Sequence, residues 1–436
     1  MTKATLRLMR SARIFVPLLL AACGVTPENI ETWKGTQRGP DKLRAVIEDE
    51  GASPQLRGLA VVALVEIGMG PDAQGELAKA SGASRSAIVH ELVAPLATLL
   101  GNSVTTAGPT TETQRAAKDL LFVEREDAAP ADRARIDELL LQWITVDLGA
   151  RASLGGQSTP KILAAIGASA ADKLVPLVRP GPDLALSAKL IGELGNTAAQ
   201  QKAVAQLVAT ARGGAVGIAR VSDDTLGALG ALGGDQATDF LLEVATRSET
   251  PSRKVALYAL AQGRPEPARA LAGALTIAGD QAADKGVREA AFQLLEKLGP
   301  PAVDGLLKLF RERDSMVRFR AIHAAFLAGG VASAGKVLAA VPEDRPVPSA
   351  DVDDFLVRDL VEMGDGVLPV LAVAAKAGPA LSRIAAIRAY GKRGKARDAA
   401  TLAPLLADLS TCGTVKPPAR IADEARAATT ALAARH

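Results

Sequence analysis

Between Asp284 and Gly330 the chain repeats itself. DKGVREAAFQLLEKLG is followed by a second apolar-periodic run, and the first pattern then returns as DSMVRFRAIHAAFLAGG. Asp284 aligns with Asp314, Val287 with Val317, Arg288 with Arg318, Ala291 with Ala321 and Gly299 with Gly329. A unit of about 30 residues holding two helices keeps apolar surface on both flat sides, and it buries that surface only by stacking on copies of itself. The period therefore restricts the chain to an array.

Within one unit, Val287, Ala291, Leu294, Leu295 and Leu298 recur at helical spacing. Asp284 is placed to cap that helix with its side-chain oxygen, and Gly299 to end it in a left-handed conformation. Pro300 and Pro301 fit the first turn of the next helix, where a missing amide costs little. That helix carries Val303, Leu306, Leu307 and Phe310 on one face.

The pattern D-x-x-V-R-x-x-A-x-x-x-L-x-x-L-G resembles the second helix of a HEAT repeat, in its short bacterial form. The resemblance implies an all-α fold, a right-handed α-solenoid of stacked antiparallel helix pairs, with about nine to eleven HEAT-like repeats. It also implies a structural role for Asp284, Arg288, Asp314 and Arg318, tying the inter-helix turn to adjacent repeats.

The amino terminus carries a different signal. Lys3, Arg7, Arg10 and Arg13 precede a short apolar run, Ile14 to Leu20, and Leu20-Ala21-Ala22-Cys23 matches a bacterial lipobox. Residues 1–22 are expected to be a lipoprotein signal peptide and Cys23 the lipidated residue. The apolar run is far short of the roughly 20 residues that span a bilayer. Gly24 stands where lipoproteins retained at the inner membrane commonly carry Asp, so the resemblance implies the outer membrane, with the protein facing the periplasm.

Charge follows from that leader. The chain has 51 Lys and Arg against 48 Asp and Glu, and without the leader's four cations the balance is 47 against 48. A nucleic-acid binder relies on a retained basic excess, and none is expected here. With Cys23 committed to lipid, Cys412 has no intramolecular partner.

Along the chain, Thr26 opens a first helix, Asp41 to Glu50 a second, and Ser53 to Gly68 matches the second-helix pattern with Arg57, Ala60 and Leu64. Pairs continue over Ala73 to Ala80 and Ser84 to Leu100. Polar stretches at Gly101 to Thr113 and Gly149 to Thr159 read as flexible breaks flanking two charged helices, Glu112 to Glu126 and Pro130 to Leu148. Second helices return over Asp183 to Asn196, Asp223 to Gly234 and Ser252 to Gly263. After the defining pair come a stiff connector at Pro342 to Pro348, two further matches, and a closing helix over Ala419 to Arg435. The domains are accordingly residues 23–148, divergent helical repeats, and 160–436, a HEAT-like array.

Chemistry is sparse. The chain has three histidines, His90, His323 and His436, spaced too widely for a triad or histidine metal site. Residues 330–337, GVASAGKV, keep the glycine–lysine spacing of a phosphate-binding loop, but Val337 replaces the Ser or Thr that holds magnesium. Asp351, Asp353 and Asp354 read as acids at a helix start. Aromatic residues are 3% of the chain, which disfavours stacking platforms. No cofactor, metal, nucleic acid or catalytic residue is expected.

The leading expectation is a membrane-anchored envelope scaffold that binds a protein or peptide. In HEAT arrays the second helices line a concave face, which makes Glu289, Gln293, Phe319, Arg320 and His323 the candidate contacts. Two alternatives stand beside it: an enzyme like the HEAT-containing lyases and isomerases that handle bilins, and a structural link between the outer membrane and another envelope layer.

Overall fold

The computed structural model of the protein describes residues 24–214 and 217–435. The leader 1–22, the candidate lipidation site Cys23 and His436 lie outside the described residues. The described residues are all-α apart from four two-residue strands near the carboxyl end. They form two compact units. One runs to Leu177 and includes Gly181–Ala199; the other takes Val178–Pro180 and the chain from Gln200 onward. The polar stretch 149–159, expected as a domain break, thus lies inside the first unit.

In the first unit the opening helix Pro27–Lys34 is capped at both ends of a box: Thr26 accepts from the Asn29 amide while Asn29 accepts from the Thr26 amide. Helix Gly39–Glu48 packs on Pro54–Glu66 and also on Gly70–Leu77, and Pro54–Glu66 packs on Gly82–Leu100. Each helix thus touches both its neighbour and its next neighbour. This explains the composition of Pro54–Glu66, in which every residue from Ala60 to Val65 is buried. A helix flanked on several sides has no polar face to keep.

The second unit follows the same rule. Asp223–Leu232, Thr250–Gln262, Lys285–Leu298 and Ser315–Ala340 pack in series, and so do Asp235–Arg247, Pro267–Gly279 and Val303–Leu309. Phe292, Leu294, Leu295, Leu306, Phe310 and Phe326 fill the space between them and are all but fully buried. Each such side chain contributes about 1.5–3 kcal/mol.

Caps and stops follow the residue chemistry. The Asp284 carboxylate accepts from the Gly286 and Val287 amides, and Asp314 accepts from Met316. Gly299 ends its helix at φ 74°. The equivalent stop in the next unit is Gly330, at φ 55°, not Gly329. Gly329 is buried, and a Cβ there would lie 2.3 Å from the Ser333 Cβ. The positive-φ turn falls one residue on, at Gly330, while Gly329 packs closely against Ser333. Ser315–Ala340 is two helices joined at that kink, so its 26 apolar-rich residues do not make one long rod.

One expectation needs correction. The polar stretches flanking residues 112–148 are not loose breaks. Arg151, 1% exposed, donates to the carbonyls of Trp143, Ser103 and Thr106, and Lys118, 0% exposed, donates to those of Leu154 and Gln157. The Asp119 carboxylate accepts from the Gly156 and Gln157 amides. Both cations also lie over the Trp143 ring, at 5.1 Å for Lys118 and 4.9 Å for Arg151. Irregular backbone is kept inside the unit because buried charges satisfy its carbonyls.

The stiff connector at Pro342 to Pro348 is also tied to the carboxyl end. Val347–Pro348 pairs in parallel with Val415–Lys416, and Thr411–Cys412 pairs antiparallel with Ala419–Arg420. Glu343 accepts from the Leu381 amide, and its carbonyl accepts from the Thr414 hydroxyl. Cys412 is buried within this stitch. The closing helix is Ile421–Ala433.

Candidate interaction face

A single residue position recurs through both units. The fourth residue is arginine in the helices that begin at Pro54, Pro130, Thr250, Ser315 and Ala380. In each, the guanidinium reaches back to a carbonyl at or just past the end of the preceding helix. Arg57 donates to Ile47, Arg133 to Arg125, Arg253 to Ala245, Arg383 to Ala375, and Arg318 to Glu312 and Arg313. The last four carbonyls of a helix have no partner within it, and a cation there also meets the negative end of its dipole. The planar fork of arginine suits this contact.

Arg288 holds the same position but reaches forward, to the Asp314 carboxylate at 3.0 Å. Arg57 and Arg383 do both, adding Ser84 and Asp408 of the following pair. Of the four residues expected at the repeat turn, Asp284 and Asp314 are caps, and Arg288 and Arg318 hold the turn from opposite directions.

A ladder of ion pairs joins successive pairs at separations of 28 to 32 residues: Arg44–Asp72, Lys79–Glu48, Arg212–Glu243, Arg269–Asp239, Arg320–Glu289, Lys336–Asp304 and Arg393–Asp365. Exposed pairs contribute about 0–1 kcal/mol each, so their regular spacing reports register more than stability. Lys336, the lysine of the phosphate-loop-like stretch, is one of these and sits on a helix.

Three of the five candidate contact residues, Glu289, Gln293 and Arg320, meet within this ladder. Arg320 donates to both Glu289 oxygens, at 2.7 and 2.8 Å, and to Glu296, with its guanidinium 5.3 Å from the Phe292 ring centre. Gln293 leans on Glu289 at 3.5 Å. The hydrogen bonds from Arg320 hold the Glu289 carboxyl below its ordinary pKa, against the opposing pull of burial. Burial works against the Arg320 charge, but Glu289 and then Glu296 outweigh it and raise its pKa.

Phe319 is not an outward residue. It is 8% exposed and stacks on Phe355 with ring centres 4.8 Å apart. His323 places Nδ1 2.7 Å from the buried Asp359 carboxylate. The ninth residue of its helix, it matches His90, ninth in Gly82–Leu100, whose Nδ1 lies 2.9 Å from Asp132. Asp353 accepts from Arg388 and Lys392. The partners Phe355, Asp359 and Glu296 escaped sequence reasoning. Only the near-30 spacing between Glu289 and Arg320 signalled any of this network.

A cavity of about 60 Å³ lies between Phe292, Met316, Val317 and Arg320, room for water alone. A larger apolar groove of about 480 Å³ runs between Leu338, Pro369, Val370, Val373 and Ala377. Among the described residues no group of three or more His, Cys, Asp or Glu side chains is arranged to hold a metal.

Comparison with protein-family models finds no match, and comparison with curated proteins finds none either. The geometry therefore carries the functional reading by itself.

Proposed function

We propose that the chain is a membrane-anchored envelope lipoprotein whose HEAT-like helix pairs, stacked as a right-handed α-solenoid, form a non-catalytic scaffold for a protein partner. The observation that carries this reading is the recurrence of one contact set. Position-four arginines bind the preceding helix, and ion pairs link side chains one repeat apart, in both units. Such an arrangement invests its charged groups in building an extended face of equivalent helices, which is the surface that repeat proteins offer to partners.

The lipobox at Leu20 to Cys23 supports the anchor, and the first described helix begins at Pro27, four residues beyond Cys23. Acyl chains on Cys23 would hold the array close to the outer membrane, since each buried methylene contributes about 0.8 kcal/mol and more than one chain gives stable attachment.

The test is in-cell crosslinking of the wild-type chain and a Cys23→Ser variant, with mass spectrometry of the mature amino terminus and of co-purifying proteins. Diacylglyceryl modification of Cys23, together with one stoichiometric envelope protein captured through the anchored form, supports the reading. An unmodified, cytosolic product would overturn the lipoprotein assignment. Anchored protein that captures no protein would overturn the scaffold role.

A further inference from the structure

Two arginines converge on one pair of carbonyls in the second unit. Arg318 Nη1 lies 3.0 Å from both the Glu312 and the Arg313 oxygens. Arg345, from the segment Pro342 to Pro348, places its own Nη1 3.0 Å from the Arg313 oxygen and 3.5 Å from that of Glu312. Sharing the Arg313 oxygen puts the two nitrogens no more than about 6 Å apart.

Like charges brought this close call for a counter-charge. Arg318 meets no carboxylate at ion-pair distance among the described residues; Arg345 has Asp344, at 3.7 Å. The acids nearby are otherwise engaged: Asp314 holds Arg288 and the Met316 amide, and Glu312 takes the Gln281 amide at 3.4 Å. Burial, and then the Arg345 charge, push the Arg318 pKa down, while Asp344 and Asp314 oppose the shift without cancelling it. Arg311 and Arg313 add two exposed cations on the same turn. Each guanidinium has five N–H donors, so the contacts to carbonyls leave most of them available.

We infer that Arg318 and Arg345, with Arg311 and Arg313, form a recognition site for an acidic stretch of a partner protein. The paired forks match carboxylates in two-point contact. The site lies open on a turn, with Arg345 38% exposed. That suits an extended chain of carboxylates better than an enclosed single ion. This inference rests on the scaffold reading and supplies the partner's chemistry.

The experiment measures anisotropy of a fluorescein-labelled octaglutamate peptide with the full mature chain at low ionic strength, with inorganic phosphate as competitor. Wild type is expected to bind, and Arg345→Gln and Arg313→Gln each to weaken binding by roughly tenfold, the loss of a charge-assisted hydrogen bond. Arg426→Gln, an exposed cation on Ile421–Ala433, is the control for net charge and is expected to leave binding within about twofold. Arg318 also ties the turn, so circular dichroism accompanies any Arg318 variant and the two other arginines carry the test. The inference is overturned if wild type does not bind, if Arg426→Gln weakens binding as much, or if phosphate at equal concentration displaces the peptide fully. Failure here with a partner still captured in cells would sink the acidic-site inference and leave the scaffold reading standing.

Discussion

Arg288 donates to the Asp314 carboxylate at 3.0 Å while the other oxygen of Asp314 accepts from the Met316 amide at 2.8 Å. One carboxylate thus caps its own helix and receives the arginine of the preceding repeat. The start of this helix and its seam with the preceding one depend on the same side chain.

Asp314→Ala is therefore expected to remove both functions. The cap contributes about 1 kcal/mol, and the part-buried charge-assisted bond about 1.5 kcal/mol more. Urea unfolding of this variant and of Arg288→Ala would show whether they couple: a double-mutant cycle that is strictly additive contradicts the shared role.

Arg57 is 4% exposed and bonds the Ile47 carbonyl at 2.8 Å. Arg57→Met leaves that carbonyl buried without a donor and should cost about 1–3 kcal/mol. Arg57→Lys should recover only part of it, because an ammonium cannot reach the Ile47 carbonyl and Ser84 in one plane. Equal stability of the lysine variant and wild type would refute the argument from geometry.

At Gly230 and Gly263 the helices Asp223–Leu232 and Thr250–Gln262 approach closely. A Cβ on Gly230 would lie 2.4 Å from the Ala259 carbonyl oxygen, and one on Gly263 would lie 2.2 Å from that of Gly230. These obstacles are backbone, so the helices must separate. Gly230→Ala is expected to cost about 1–3 kcal/mol as overpacking, read as a drop in the urea midpoint; an unchanged midpoint would mean the helices yield freely.

Lys118 is enclosed by carbonyls, Asp119 and Trp143. Burial pushes its pKa down, with Asp119 opposing. For a depressed lysine the unfolded chain binds more protons between the lowered value and the ordinary one, so stability rises with pH across that alkaline window. Lys118→Met should abolish this slope. It should also cost about 3 kcal/mol, by leaving Asp119 and two carbonyls without their cation.

Asp408 gives a slope of the same sign at the acid end of the scale. The Ser410 hydroxyl, then Arg383 and the Ser410 amide, lower its pKa to about 2. Its contribution is complete above the ordinary carboxylate range and is lost as pH falls through about 2. Asp408→Asn should flatten stability between about pH 4 and 2. An acid-unfolding profile identical to wild type would count against it.

Helix identity and punctuation were legible in sequence because they depend on local chemistry. Thr26 caps, Asp284 caps, Gly299 stops, and apolar residues at spacings of three and four mark the buried faces. Those effects act within a turn or two of the chain. The repeat around Asp284 to Gly330 was legible for the same reason, since two copies present the same local code.

Contacts between repeats were not legible in that way. The stop falls at Gly330 rather than Gly329, which packs against Ser333 and Val303, and the fate of Phe319 depends on Phe355, 36 residues later. The polar stretches around 101–113 and 149–159 read as loose because loops and buried irregular backbone share a composition. Only the tertiary structure brings Lys118 and Arg151 onto their carbonyls and against Trp143. Sequence by itself determined the helices and their period, which follow from steric and capping rules along the chain. The folded structure decided which polar groups meet, because a buried charge finds its partner through space, at distances the order of residues does not encode.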